Sequence, residues 1–396
     1  MGFAAAAGGI AAWRLWPEQG FWNPCHAQLP PHFANHALVQ QAWDGIDPAR
    51  VWDSHSHLIG TGDSGSGITV NPRTESLLDP GQYARRLFFL NAGCVHDAPG
   101  SVDLAYVDRM RNLIDGLRPG VKMMLYAFER AYDERGEPDH EHTVFHIPNH
   151  YARDVARKHP ADFEWVASIH PYRRDCVTEL EHAKRDGARA VKWLPSAMGI
   201  DPASPRCDPF YEVLSKNNIP LIAHGGLERA VLGRGAHDFG NPLRLRRALD
   251  AGVRVVVAHC ASMGEDRDLD KGPNGPYVDS FSLFVRIFEK FSNLYGDISA
   301  MTQVNRAGPA LARVIENQEW HARLLNGSDY PLPGVMPVFS VDYLVSLGLL
   351  APSAAPVLRE IRAHNPLLFD FVLKRHLRSN GKALAAGVFE TRAFFV

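Results

Sequence analysis

Cysteine is scarce in this sequence, and spacing never pairs it. Cys25, Cys94, Cys176, Cys207 and Cys260 are scattered, odd in number and form no CxxC motif. The pattern argues against a zinc knuckle or a disulfide scaffold and leaves the redox compartment open. An excess of one charge is also missing: 42 Lys and Arg stand against 44 Asp and Glu, for a formal net charge of −2. Without a basic footprint there is no electrostatic ground for a nucleic-acid partner. No segment repeats at a solenoid period. The small apolar stretch at 2–13 (GFAAAAGGIAAW) is too short to span a bilayer, and no basic residue precedes it. Two readings of it stay open. As the remnant of a signal or membrane anchor it implies a periplasmic or exported protein; as a packed or unstructured extension it leaves the protein cytoplasmic.

What is present suits an enzyme. The 396 residues are 45% hydrophobic and 22% charged, enough for one large core with extensions or for two domains. Short apolar runs bounded by turn residues read as buried strands at 51–58, 121–128, 163–170, 188–194, 219–224, 253–259, 294–299 and 322–329. Longer amphipathic stretches alternate with them at 103–117, 150–158, 177–186, 209–216, 241–251, 280–291 and 307–317. About three more helices follow the last strand, ending near 377. Strand–helix alternation with about eight strands predicts an α/β fold, a distorted (β/α)8 barrel. The expected organisation is an N-terminal extension over 1–48, the barrel over 49–378, and a surface-packed tail over 379–396. The glycine-rich run at 60–67 follows the first strand, where barrels meet their substrates, and reads as an active-site loop.

The 19 histidines matter for where they fall. His55 and His57 close the first strand, Lys192 lies near the end of the fourth, and His224, His259 and Asp329 close the fifth, sixth and eighth. Side chains alternate along a strand, so His55 and His57 point the same way and can share one ion. A lone strand-end histidine is more often a hydrogen-bonded core residue. The whole set, at one end of successive strands, points to a divalent metal, Zn first and Fe or Mn next. A lysine between Val191 and Trp193, inside a barrel, is costly unless paired or modified.

The set His55-x-His57, Lys192, His224, His259 and Asp329, with the segments VWDSHSHL, PLIAHGG, VVVAHC and NGSDYP, resembles the amidohydrolase superfamily over roughly residues 50–376. The resemblance implies a metal-dependent hydrolase with its centre at the barrel mouth. It puts the more buried ion on His55 and His57, a second on His224 and His259 (or one of these two on substrate or water instead), and makes Asp329 both ligand and proton acceptor. His259 also counts among the catalytic candidates. Two branches compete. The phosphotriesterase-like branch carries two ions bridged by a carboxylated lysine, the place that Lys192 takes. A branch similar to aminocarboxymuconate-semialdehyde decarboxylase carries one ion and includes decarboxylases and hydratases; the segment His364-Asn365-Pro366-Leu367-Leu368-Phe369 resembles its closing helix. A non-catalytic barrel that keeps its metal is a third reading.

The expected reaction is attack of activated water on an ester, lactone, amide or phosphoester of a small-molecule substrate, with Asp329 as general base. Substrate contacts are expected from His170, Trp193, Arg229, Arg234 and His237, against plainer readings as structural or solvated residues. Asp297 is expected to orient a ligand histidine or cap the next loop, and Cys260 to be core. A homodimer is expected from the family alone.

Overall fold

The computed structural model describes residues 23–396, apart from 27, 97 and 232. The apolar stretch at 2–13 lies outside the described residues. All eight expected strands form, each shorter than its apolar run: β1 Trp52–His57, β2 Lys122–Tyr126, β3 Phe163–Val166, β4 Val191–Trp193, β5 Leu221–His224, β6 Val255–Ala258, β7 Leu294–Asp297 and β8 Leu324–Leu325. Neighbours pair in parallel within β1–β2–β3 and within β4–β5–β6–β7–β8. Parallel bridges join the two groups, Ala167 to Val191 on one side and Ser56 to Tyr330 on the other. The sheet therefore closes on itself as a (β/α)8 barrel. Closure leaves no open edge, which is how a parallel sheet of this length avoids unpaired backbone.

Parity inside the barrel explains the placement of the site. Trp52, Met124, Val166, Ala190, Ile222, Val256 and Leu325 form one apolar interior layer. Two residues further along, the inward positions are Tyr126, Lys192 and His224. Simple alternation would put Trp52 and His55 on opposite sides of β1. A register shift between Asp53 and Ser56 adds a residue to β1 relative to β2, and both Trp52 and His55 then face inward. The bulge lets one short strand supply both the floor and the metal-competent mouth.

The C-terminal tail does more than lie on the surface. Phe395 is buried with the floor layer, Thr391 Oγ1 donates to the Trp52 carbonyl, and Phe394 packs on Tyr295 with ring centroids 4.5 Å apart. The tail plugs the end of the barrel opposite the mouth. Phe395→Ala is expected to lower the unfolding free energy by about 3 kcal/mol, read as a fall in the denaturant midpoint at constant m-value. A change below about 1 kcal/mol would show that the floor does not need the plug.

The N-terminal segment docks as well. Trp43 packs on Phe371 with centroids 4.2 Å apart, and Arg375 donates to the carbonyls of Ala42 and Asp44. Contrary to the expectation from cysteine spacing, Cys25 and Cys94 form a disulfide across 69 positions. Docking of the N-terminal segment against the turn after helix Pro80–Ala92 brings them together, and no local spacing encodes such an approach. Cys176, Cys207 and Cys260 are free and buried. The helix Pro80–Ala92 and the antiparallel pair Thr69–Val70 with Phe145–His146 were not expected; both belong to the long excursions after β1 and β2. Among the described residues no helix is long and apolar enough to cross a membrane.

Candidate metal centre

His55, His57 and Asp329 converge at the mouth. Asp329 Oδ1 lies 3.2 Å from His57 Nε2 and 3.5 Å from His55 Nε2. One nitrogen from each histidine and one oxygen from Asp329 fall within 4.8 Å of one another, a spacing that can hold a metal ion. His55 is fixed from behind: its Nδ1–H donates to Asp297 Oδ2 at 2.9 Å. That bond sets the tautomer and leaves Nε2 as a lone-pair donor facing Asp329. His259 is fixed in the same manner, its Nδ1–H donating to the Ser299 carbonyl at 2.9 Å while its backbone N–H donates to Asp297 Oδ1. His55, His259 and Asp297 are also close enough to form a second potential group. Asp297, however, already accepts from His55 Nδ1–H and from the His259 backbone N–H and does not reach the cavity, so it reads as the support behind the two histidines.

The rings of His55 and His259 stack 5.0 Å apart, and that of His224 lies 5.2 Å from His259. Both nitrogens of His224 and the Lys192 Nζ are buried with no hydrogen-bond partner. Glu228 Oε2 is 3.0 Å from His224 Nε2 but out of line for a hydrogen bond. Buried donors and acceptors left bare in this way are rare in a finished core. His224 and Lys192 line the same cavity as His55, His57 and Asp329, whose two imidazoles and one carboxylate fit a divalent ion.

Burial tunes the set toward ligation. Desolvation pushes the imidazoles of His55, His224 and His259 well below the usual histidine range, helped by Lys192, His259 and Arg306 respectively. They are therefore neutral, the form that binds a metal. Desolvation also lowers the Lys192 amine to about 8, against opposing fields from Asp297, Asp329 and Glu228. Burial alone would raise Asp329, but the His57 hydrogen bond and the fields of His55, His57 and Arg306 outweigh it and hold the carboxyl below its ordinary value. His259 and Asp329 both sit at positive φ, 56° and 62°. Such backbone costs about 1–3 kcal/mol per residue and gathers at functional sites.

The chemistry opens into a cavity of about 310 Å³ walled by Phe88, Phe89, Phe128, Phe145 and Ile147, with His55, His57, Lys192, His224, His259 and Asp329 at its base. Of the other residues proposed from sequence, Arg229 lines the cavity. Arg234 instead donates to the Tyr132 carbonyl and Asp139, and His237 opens the short turn His237–Gly240 and is exposed. His170 is buried, with Nε2 bonded to the Met198 carbonyl and Nδ1 accepting from the Tyr172 N–H. Trp193 faces away from Lys192, its Nε1–H donating to the Ile169 carbonyl and its ring against Phe210. Cys260 is core, its thiol bonded to the Asp297 carbonyl. Of the loop at 60–67, Gly60 and Thr61 reach the cavity, and Asp103 ties down Thr61, Gly62, Ser64 and Ser66. Sequence reasoning missed Glu228 and Arg306, both buried in the wall. Glu228 lies four residues after His224, a proximity that could have flagged it. Arg306 lies nine residues beyond Asp297 in a loop with no periodic signal.

The amidohydrolase family model matches residues 100–366, more than half of the chain. The chain belongs to the amidohydrolase family. It is a metal-dependent enzyme of that family, on the strength of this match and the buried His/His/Asp cluster. The match begins after β1, so it is the geometry that joins His55 and His57 to this amidohydrolase's centre. No curated protein matches the chain. Among solved structures, an uncharacterised TIM-barrel protein from Bordetella bronchiseptica is 17% identical, covering 78% of this chain and 98% of its own at a TM-score of 0.48. A Pseudomonas putida protein provisionally named 2-pyrone-4,6-dicarboxylic acid hydrolase is 16% identical, covering 81% and 97% at 0.43. The 5-carboxyvanillate decarboxylase of Sphingomonas paucimobilis is 12% identical, covering 60% and 75% at 0.36. The barrel itself rests on the closed strand pairing and not on these scores.

Proposed function

We propose that this amidohydrolase is a hydrolase of small-molecule esters, lactones, amides or phosphoesters. The observation that carries the reading is the buried Lys192 amine, left without a hydrogen-bond partner in a cavity lining it shares with His224, His259 and the His55–His57–Asp329 triad. His55, His57 and Asp329 would hold one divalent ion, Zn first, and His224 and His259 a second, with Lys192, as a carbamate, adding a further ligand. The bound metal supplies Lewis acidity, lowering the pKa of water and polarising the group under attack. Asp329 accepts the proton from the attacking water and returns it to the leaving group. Asp297 and Ser299 hold the imidazoles of His55 and His259 in place. Phe88, Phe89, Phe128 and Phe145 exclude bulk water, which strengthens every charge interaction inside.

Carbamate formation needs the neutral amine. With its pKa lowered to about 8, Lys192 is substantially neutral at pH 9 and mostly charged at pH 7, so carboxylation should rise across that interval. Metal analysis in bicarbonate buffer is expected to give two ions per chain at pH 9, with a ¹³C-carbamate NMR signal that Lys192→Arg abolishes. A panel of esters, lactones, amides and phosphoesters then identifies the class that turns over. A second reading, a single-metal decarboxylase or hydratase, is favoured by the completeness of the His55–His57–Asp329 triad for one ion. One ion per chain, no carbamate signal and no hydrolysis of the panel would select it.

A further inference from the structure

We propose that Arg306 is the anchor for a carboxylate on the substrate, set apart from the bond that reacts. Arg306 lines the same cavity as the metal-competent residues and is only 7% exposed. Its Nε and Nη1 are buried with no hydrogen-bond partner, and among the described residues no carboxylate forms an ion pair with it. A buried guanidinium presents a planar fork of donors and is costly to leave unpaired. The nearby acids do not serve it. Glu228 Oε1 accepts the N–H groups of Ala230 and Val231, and its Oε2 faces His224. Asp297 is committed to His55, His259 and Ser299, and Asp329 to His57 and His55.

Charge balance points the same way. Asp297, Asp329 and Glu228 act on Arg306 through space. A divalent ion on Asp329 would cancel much of that field and leave the guanidinium more in need of an anion. The aromatic wall of the same cavity, Phe88, Phe89, Phe128 and Phe145, suits an apolar body. The ligand class that fits is an apolar, preferably flat molecule with a carboxylate, which Arg306 grips bidentately. Its labile bond then lies toward Asp329, and for that placement alone the inference rests on the metal-centre reading. Arg306 thereby selects anionic over neutral substrates of one shape.

The test compares benzoate with benzamide, matched in shape but not in charge, by calorimetric titration into the metal-loaded protein, with metal content measured on the same samples. The wild type is expected to bind benzoate at least ten-fold more tightly than benzamide. Arg306→Gln should erase that preference at unchanged metal content, and Arg306→Lys should keep part of it. If Arg306→Gln does not fold, the wild-type preference and its reduction in Arg306→Lys still decide. Equal binding of the two probes by wild type overturns the proposal. So does a benzoate preference that survives in Arg306→Gln, which would put the carboxylate on the ion. An Arg306-dependent benzoate preference in protein that takes up no divalent ion on loading supports the anchor and sinks the metal-centre reading instead.

Discussion

Asp329→Asn is expected to cut turnover by about 10³-fold while leaving much of the metal bound. Asparagine keeps the size of the side chain and tolerates the left-handed backbone, φ 62°, that Asp329 adopts. The amide oxygen can still face His55 and His57, from which Asp329 Oδ1 lies 3.5 and 3.2 Å. The charge and the capacity to take a proton are lost. A residue needed only as a ligand would lose metal and activity in proportion; a proton acceptor loses activity far ahead of metal. Metal content by elemental analysis and kcat on the substrate class that turns over separate the two. Activity above a tenth of wild type would remove Asp329 from proton transfer.

Lys374→Met should produce the largest loss of stability. Lys374 Nζ donates to the Gly327 carbonyl and to Asp370 Oδ2, each at 2.7 Å, and both side chains are 1% exposed. Removing one partner of a buried pair leaves the other uncompensated, at a cost of about 3–5 kcal/mol. Burial already raises the Asp370 carboxyl to about 7 with the lysine in place. A carboxyl raised on folding contributes stability that is fully present below its unfolded pKa and lost as pH climbs through the folded one. In the variant the folded value climbs further, so the deficit should be smaller at pH 5 than at pH 8. The effect should reach the metal site. Gly327 packs against His55 so closely that a Cβ there would overlap the His55 Cβ, and Asp53 accepts from the Ser328 N–H and hydroxyl one step later. Lys374→Met with Asp370→Leu should recover stability, because a well-packed apolar pair avoids desolvating charges. If metal affinity recovered fully as well, Lys374 would have no role in positioning the Asp329 loop.

The barrel and the six strand-end residues were legible because each left a local signature. Apolar runs of four to eight residues bounded by turns are hard to mistake when eight occur in order. Polar residues at their ends stand out against them. Arg306 and Glu228 left none, since loop residues become wall residues only when the excursions after different strands pack together. The tail was equally opaque: AFFV at a terminus looks like any apolar end, and only the closed barrel makes a floor for Phe395 to seal.

The sequence by itself therefore determined the order of elements, the parallel barrel and the strand-end side chains that line the cavity, because hydrophobic period and strand-end polarity act over a few residues. Tertiary structure alone decided the rest. A bulge in β1 turned both Trp52 and His55 inward. Docking joined Cys25 to Cys94 across 69 positions. Closure of the barrel and packing of its loops buried Lys192, His224 and Arg306 with side-chain nitrogens that have no hydrogen-bond partner. Desolvation depends on what surrounds a group from every side, and the residues that do so here come from all parts of the chain.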